Sequence, residues 1–334
     1  MMRYVLRRLL WLILVLIGMT LITFVVSHLV PADPAKVAAG LDANAAQVER
    51  VRHDLGLDRP LPLQYGLYLA HLIRGDLGNS ILTGRPVTRD LAEFFPATLE
   101  LALWAMLLTI ILGIPLGIMA AVRRGSAIDT LVRFFATLWV GLPEFWFAIL
   151  LQIVFYRDLG WVGPGGRLST DMPPPAHLTG MYSIDALLTL NFPVLGDALR
   201  HLALPVLALA LARTAVIARL TRSGMLEVLS SDYIRTARAK GLRQGVIVFR
   251  HALKNAALPV LTQFGTQFGF LLGGTILIES VFQWPGLGRY AVDAITRVDF
   301  SPIMGVALVA SLVFVIVNLG IDLCYHMLDP RIRV

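Results

Sequence analysis

Residues 97–122 read ATLELALWAMLLTIILGIPLGIMAAV, and Arg123-Arg124 follow at once. The run holds a single charged residue, Glu100. About 20 mostly apolar residues cross the hydrocarbon of a bilayer, so this stretch is long enough to span one. Working outward, 9–30, 131–156, 201–220, 256–278 and 302–327 carry the same signature or come close to it. The expectation is an all-α integral membrane protein with about six transmembrane helices. The first stretch exceeds the roughly 7–15-residue core of a secretory signal, and no small-residue cleavage site follows it. It is expected to be a retained helix.

Composition agrees. Hydrophobic residues make up 57% of the 334, and charged residues only 15%, where a soluble chain carries about a quarter. The net charge of +7 does not point to nucleic acid, because Lys and Arg fall in short clusters between apolar runs. Arg3, Arg7 and Arg8 precede the first span; Arg123, Arg124 and Arg133 flank the turn after the second. A third cluster holds Arg222, Arg235, Arg238, Lys240, Arg243, Arg250 and Lys254, and Arg331 and Arg333 close the chain. An excess of positive charge marks the cytoplasmic side, which places both termini there.

The opposite loops, 31–96, 157–200 and 279–301, carry near-balanced charge. The chain then divides into a tail and first helix at 1–30, an external lobe at 31–96 with a helix near 45–55, and a five-helix core at 97–330. Residues 160–198 are rich in Gly and Pro. They are expected to form an external loop that is ordered, or that orders against a partner.

Several chemistries have no signal. There is no phosphate-binding loop, zinc helix or nucleophile elbow, so ATP binding and hydrolysis are not expected of this chain. The single cysteine, Cys324, rules out an internal disulfide and leaves no thiol cluster for zinc. Small residues recur at Gly113 and Gly117, and at Gly265, Gly269 and Gly273, where helix backbones can approach closely. The triple favours a tightly packed fifth helix. Charges inside spans are costly and are functional candidates by default: Glu100, Glu144, Arg213 and Asp322. Glu144, beside Pro143, is read either as lining the pathway or as a proton relay. Alternatively, Glu100 and Asp322 sit at the water interface and Arg213 pairs with a carboxylate between helices.

The loop 221–256 is the most informative. Ser231 or Asp232 can cap a short helix. Tyr233, Ala237 and Gly241 recur every four residues on one face, with Arg235 and Arg238 on another. Such a helix fits a groove on a partner protein, or it is a basic loop resting on lipid phosphates.

The run 232–242, DYIRTARAKGL, followed by His251-Ala252-Leu253-Lys254-Asn255-Ala256 and Leu258-Pro259, resembles the cytoplasmic loop of ABC importer permeases of the dipeptide/oligopeptide/nickel family. Agreement runs along the whole chain. It includes Tyr4-Val5-Leu6-Arg7-Arg8-Leu9, Asp33-Pro34, Leu55-Gly56-Leu57-Asp58, Gly75-Asp76-Leu77-Gly78, Pro96-Ala97-Thr98-Leu99-Glu100, Trp284-Pro285-Gly286-Leu287-Gly288 and Asp329-Pro330-Arg331-Ile332-Arg333. The pattern is similar to the B-type permeases of that family. Glu144 departs from it, since the family tends to be uncharged there.

The resemblance implies the type I ABC importer permease fold in a bacterial inner membrane. A homologous C-type permease would complete the pathway, and an external substrate-binding protein would deliver the cargo. Two ATP-binding cassette ATPases would hold ATP and magnesium, with no cofactor or metal on this chain. The coupling helix, about 231–243, would present Asp232, Tyr233, Arg235, Ala237, Arg238, Lys240 and Gly241 to an ATPase. The implied cargo is a di- or oligopeptide, with nickel or glutathione as alternatives. Glu144, Arg213 and Asp322 are pathway candidates. A secondary transporter using Glu100, Glu144 or Asp322 as proton sites is the reading from another class; the absence of detectable inverted repeats speaks against it.

Overall fold

A computed structural model describes residues 2–29, 34–40, 43–54, 56–163 and 165–328, with side chains described except at 2–11, 27–28, 34, 37–38, 54, 273–274 and 322–328. Asp322, Gly273 and the terminal arginines therefore lie outside the described side chains. The chain is helical. In order come α1 (Met2–Leu29), α2 (Pro34–Ala39), α3 (Ala45–Asp54), α4 (Leu61–Ile73), α5 (Val87–Val122), α6 (Ala127–Gly141) and α7 (Glu144–Leu151). A π-helical segment, Gln152–Asp158, extends α7. Then follow α8 (Tyr182–Leu188), α9 (Phe192–Leu229), α10 (Asp232–Ala239) and α11 (Gln244–Val246). A second π-helical segment, Ile247–Ala252, leads into α12 (Leu253–Gly274), and α13 (Ile276–Val281), α14 (Leu287–Thr296) and α15 (Phe300–Leu328) complete the chain. Among the described residues the extended pairing is limited to one isolated antiparallel bridge, Asn79 to Pro86.

The expected spans fall in helical regions, four of them within single helices, while 256–278 crosses from α12 to α13 at Thr275. By length and composition, α5, α9 and Phe300–Ile321 of α15 suffice to cross a membrane. In α1 the described apolar stretch is the shorter Leu12–Val26. Lys254, Asn255, Gln263 and Gln267 lower the hydropathy of the 22-residue α12. The stretch 131–156 needs correction: it is two helices, α6 and α7, bent by 101°. Pro143 has no N–H to donate and drives Leu142 into extended backbone, ψ 130°.

The chain forms two compact units, residues 1–98 with 285–315 and residues 99–284 with 316–334. In the first, Val87, Leu91, Leu287 and Tyr290 form a buried core joined by Phe94, Phe95 and Val306. Two of the sequence motifs meet there: the Leu287 N–H donates to Thr98 Oγ1 at 2.8 Å. Asp90, fully buried, accepts from Tyr290 Oη and Thr83 Oγ1 and is ion-paired with Arg85. The Asp76 carboxyl accepts from the Gly78 N–H and from His71, which holds it below the ordinary range.

In the second unit α9 is the central beam, with 72% of its apolar window buried. The Gly113–Gly117 pair lets α5 close on it. A Cβ at Gly117 would lie 2.6 Å from the Ala218 carbonyl oxygen, and one at Gly113 would lie 2.9 Å from Ile217. Gly117 thus admits no side chain without backbone movement, and Gly113 keeps the same approach tight. Of the triple, Gly265 of α12 is buried against Ile321.

Candidate functional site

The 221–256 segment contains the expected short helix. It begins at Asp232, whose charge suits a helix N-terminus. Ser231 stands at the cap position, but its hydroxyl donates back to the Val228 carbonyl at 2.6 Å rather than accepting from the helix. The end is a Schellman closure: the Leu242 N–H reaches the Ala237 carbonyl and the Gly241 N–H reaches that of Arg238, with Gly241 at φ +73°. Glycine is favoured in that backbone conformation.

The expected face of Tyr233, Ala237 and Gly241 is divided. Ala237 is buried, and with the fully buried Ile234 it packs into a cluster with Met225, Ile247, Val248 and Ala252. The physical reason is the i, i+3 spacing of Ile234 and Ala237, the apolar stripe of an otherwise polar helix. Ala237 therefore seats α10 on its own chain. Burying Ile234 contributes about 1.5–3 kcal/mol. The exposed surface is Asp232, Tyr233, Arg235, Arg238 and Lys240, continued by Gly241 and Arg243. Tyr233 is steadied by Asn255 Nδ2, which donates to its hydroxyl at 2.7 Å.

Among the described residues, the span charges Glu100, Glu144 and Arg213 are paired. Arg213 Nη1 donates to Glu144 Oε1 at 2.9 Å and to the Leu209 carbonyl at 2.6 Å. This is the interhelical pair that the second reading of Arg213 anticipated. Glu100 is not at a water interface: it is 1% exposed. It accepts from Arg167 Nη2 at 2.6 Å and from the Ser183 N–H and hydroxyl at 2.7 and 2.6 Å. Arg167 lies over the Tyr182 ring, 3.5 Å from its centroid, and also donates to the Gly180 carbonyl.

Sequence reasoning passed over Arg167, which sits in a Gly/Pro-rich loop, and Asp129, which sits in a turn. Asp129 accepts bidentately from Arg222, at 2.6 Å from Nε and 2.9 Å from Nη2. A lone buried carboxylate in a span demands a cation, and that demand was the available signal for Arg167. Among the described residues no cluster of His, Cys, Asp or Glu is arranged to hold a metal. The geometry offers a long beam, α9, tied to α7 by Arg213 and to α6 by Arg222, running into an exposed basic helix.

Residues 113–334 match the model of the binding-protein-dependent transport system inner membrane component, and residues 1–102 match its N-terminal companion. The chain belongs to that family. It is a multi-pass permease component of a binding-protein-dependent transport system. It is 49% identical to a probable D,D-dipeptide transport system permease protein of Escherichia coli K12, covering 98% of this chain and 97% of the relative. It is 45% identical to a dipeptide transport system permease protein of Alkalihalophilus pseudofirmus, over the full length of both. A glutathione transport system permease protein of Pectobacterium atrosepticum is 40% identical over 100% of this chain and 99% of the relative. The motif stretches from 75 to 100 and from 284 to 288 in this permease are thus accounted for largely by internal packing.

Proposed function

We propose that this chain is the B-type permease of an ATP-driven importer of di- or oligopeptides in a bacterial inner membrane, forming the pathway with a homologous C-type permease. Both termini and residues 221–256 then face the cytoplasm, as the clustering of Arg and Lys supports. Two ATP-binding cassette ATPases hold the ATP and magnesium, and an external binding protein delivers peptide to the opposite side, where the 31–96 lobe lies. Peptide cargo is supported by the names of the relatives sharing 45–49% of residues. The glutathione relatives favour a second reading, a tripeptide cargo, within the same peptide class.

The observation that carries the mechanism is α10, apolar toward its own chain and charged outward. Its seat is built from α9, α12 and the π-helical segment between α11 and α12, so a pull on α10 is delivered to the beam. Arg222 and Arg213 pass it to α6 and α7. ATP drives this only if it binds the two states differently, which an ATPase dimer closing on two such helices provides. The test is purification from native membranes through a tag on this chain, followed by ATPase assay. A second permease and two ATPases, with turnover raised by peptide-loaded binding protein, is the expected outcome. Peptide transport by the isolated chain on a proton gradient would overturn it.

A further inference from the structure

We infer that Arg213, guarded by Glu144, is a docking point for the terminal carboxylate of the imported peptide; the inference rests on the peptide-import reading above. Among the buried pairs of the second unit, Glu100–Arg167 is also a one-atom contact with Arg167 Nε unpartnered, but its carboxylate is buried, whereas that of Glu144 is part-exposed; Asp129–Arg222 shows the complete contact. Asp129 and Arg222 meet fork to fork through Nε and Nη2, the geometry of a guanidinium and a carboxylate that serve each other. Arg213 and Glu144 meet through one atom each. Both hydrogen bonds described for Arg213 leave from Nη1, and its Nε is buried without a partner. Arg213 is 6% exposed. A buried donor with no acceptor is costly, and such groups in native folds call for an explanation.

The Nε that Arg222 gives to Asp129 is thus left without an acceptor on Arg213. The approach we assign to the ligand is the break between α6 and α7. Glu144 opens α7 there with its side chain 34% exposed, and Trp139 and Phe147 brace the bend edge to face, 4.5 Å apart. The first-turn N–H groups of α7 lack intrahelical acceptors, which adds to the pull on an anion. The ligand that fits is a planar anion with two oxygens. In a zwitterionic peptide that is the terminal carboxylate, and the peptide ammonium compensates the charge of Glu144. Competition from Glu144 keeps the site weak, as a pathway site must be if cargo is to leave it.

The experiment uses the whole importer in proteoliposomes, comparing ATP-driven uptake of dialanine with that of its C-terminal amide. The binding protein has its own preference, but this cancels when the acid-to-amide ratio is compared between permease variants. Arg213→Gln is expected to lower that ratio about tenfold, the scale of one lost charge-assisted hydrogen bond. Arg213→Lys keeps the charge but not the fork, and is expected to lower it by a smaller factor; it also covers failure of the Gln variant to assemble. A ratio unchanged in Arg213→Lys overturns the inference, and the pair is then structural or meets a carboxylate of the second permease. Failure of the wild-type importer to take up dialanine with ATP would overturn the peptide reading itself, and the inference with it.

Discussion

Two short helices flank the beam α9, and they are held in opposite ways. Before it, α8 is fixed by buried charge: Glu100 grips the Ser183 N–H and hydroxyl, and Asp185 gathers the N–H groups of Leu178, Thr179 and Gly180. After it, α10 rests on Ile234 and Ala237 and leaves its arginines outward. Directional polar bonds in a dry site permit one arrangement, whereas an apolar seat is non-directional and leaves every charge for a partner. The first end is built to stay; the second is built to be pulled.

The largest expected effect comes from breaking the first end. Glu100→Ala leaves Arg167 buried and unpaired, a loss of about 3–5 kcal/mol. The readouts are the unfolding temperature of the purified complex and proteolytic cleavage within 160–190. Arg238→Ala on the exposed face of α10 should cost no more than about 0.5 kcal/mol. Equal costs at the two sites would break the comparison.

Next is the apolar seat. Ile234→Ala should cost about 2–4 kcal/mol and also weaken peptide-stimulated ATP hydrolysis. Arg235→Glu should weaken hydrolysis without lowering the unfolding temperature. If both variants hydrolyse ATP normally in the assembled complex, α10 does not couple.

Acid sharpens the comparison further. Burial pushes the Asp185 carboxyl up, but hydrogen bonds from Thr179, Gly180 and Leu178 outweigh it and hold the group below its usual 3.8. A depressed folded value means stability that is present above the ordinary carboxyl range and lost as pH falls below about 4. The amide-exchange protection of 178–188, corrected for the intrinsic rate at each pH, should therefore fall on acidification. Asp185→Asn should cost about 1–3 kcal/mol and flatten that dependence, while exchange in α10 stays unaffected by the substitution.

How much of this the sequence disclosed depends on the range of the interaction. Apolar run length and the placement of Arg and Lys are local, so all six stretches were legible, as was a helix near 45–55. The bend at Leu142–Pro143 was half legible: Pro143 signalled a lost hydrogen bond, but the 101° turn depends on what α7 packs against. At α10 the four-residue spacing suggested one face, while burial follows Ile234 and Ala237, because the helix packs on residues from elsewhere in the chain. The Arg213 pairing was anticipated in kind. The Glu100–Arg167 pair joins a span to a loop 67 residues away, and Asp129–Arg222 are 93 apart; no local pattern encodes such partners.

The smallest effect tests the backbone closures of the same two helices. Both end in a Schellman motif. At α8 the Asn191 N–H reaches the Ala186 carbonyl and the Leu190 N–H that of Leu187, as Leu242 and Gly241 do at α10. The residue in the left-handed position is Leu190 at φ +54° in one and Gly241 at φ +73° in the other. A Cβ in that region costs about 1–2 kcal/mol, partly offset by the greater unfolded-state freedom of glycine. Leu190 is 70% exposed, so little burial is lost with its side chain. Space around Gly241 is open, so a Cβ there meets only backbone strain. Leu190→Gly should therefore stabilise by about 0.5–1 kcal/mol and Gly241→Ala destabilise by a similar amount, both read from exchange at the helix ends. Because Gly241→Ala leaves the basic face intact, ATP hydrolysis should fall only as far as the end of α10 frays. A complete loss of stimulation from that one methyl would mean the partner ATPase contacts Gly241 directly, and the exposed surface of α10 would then extend past its last turn.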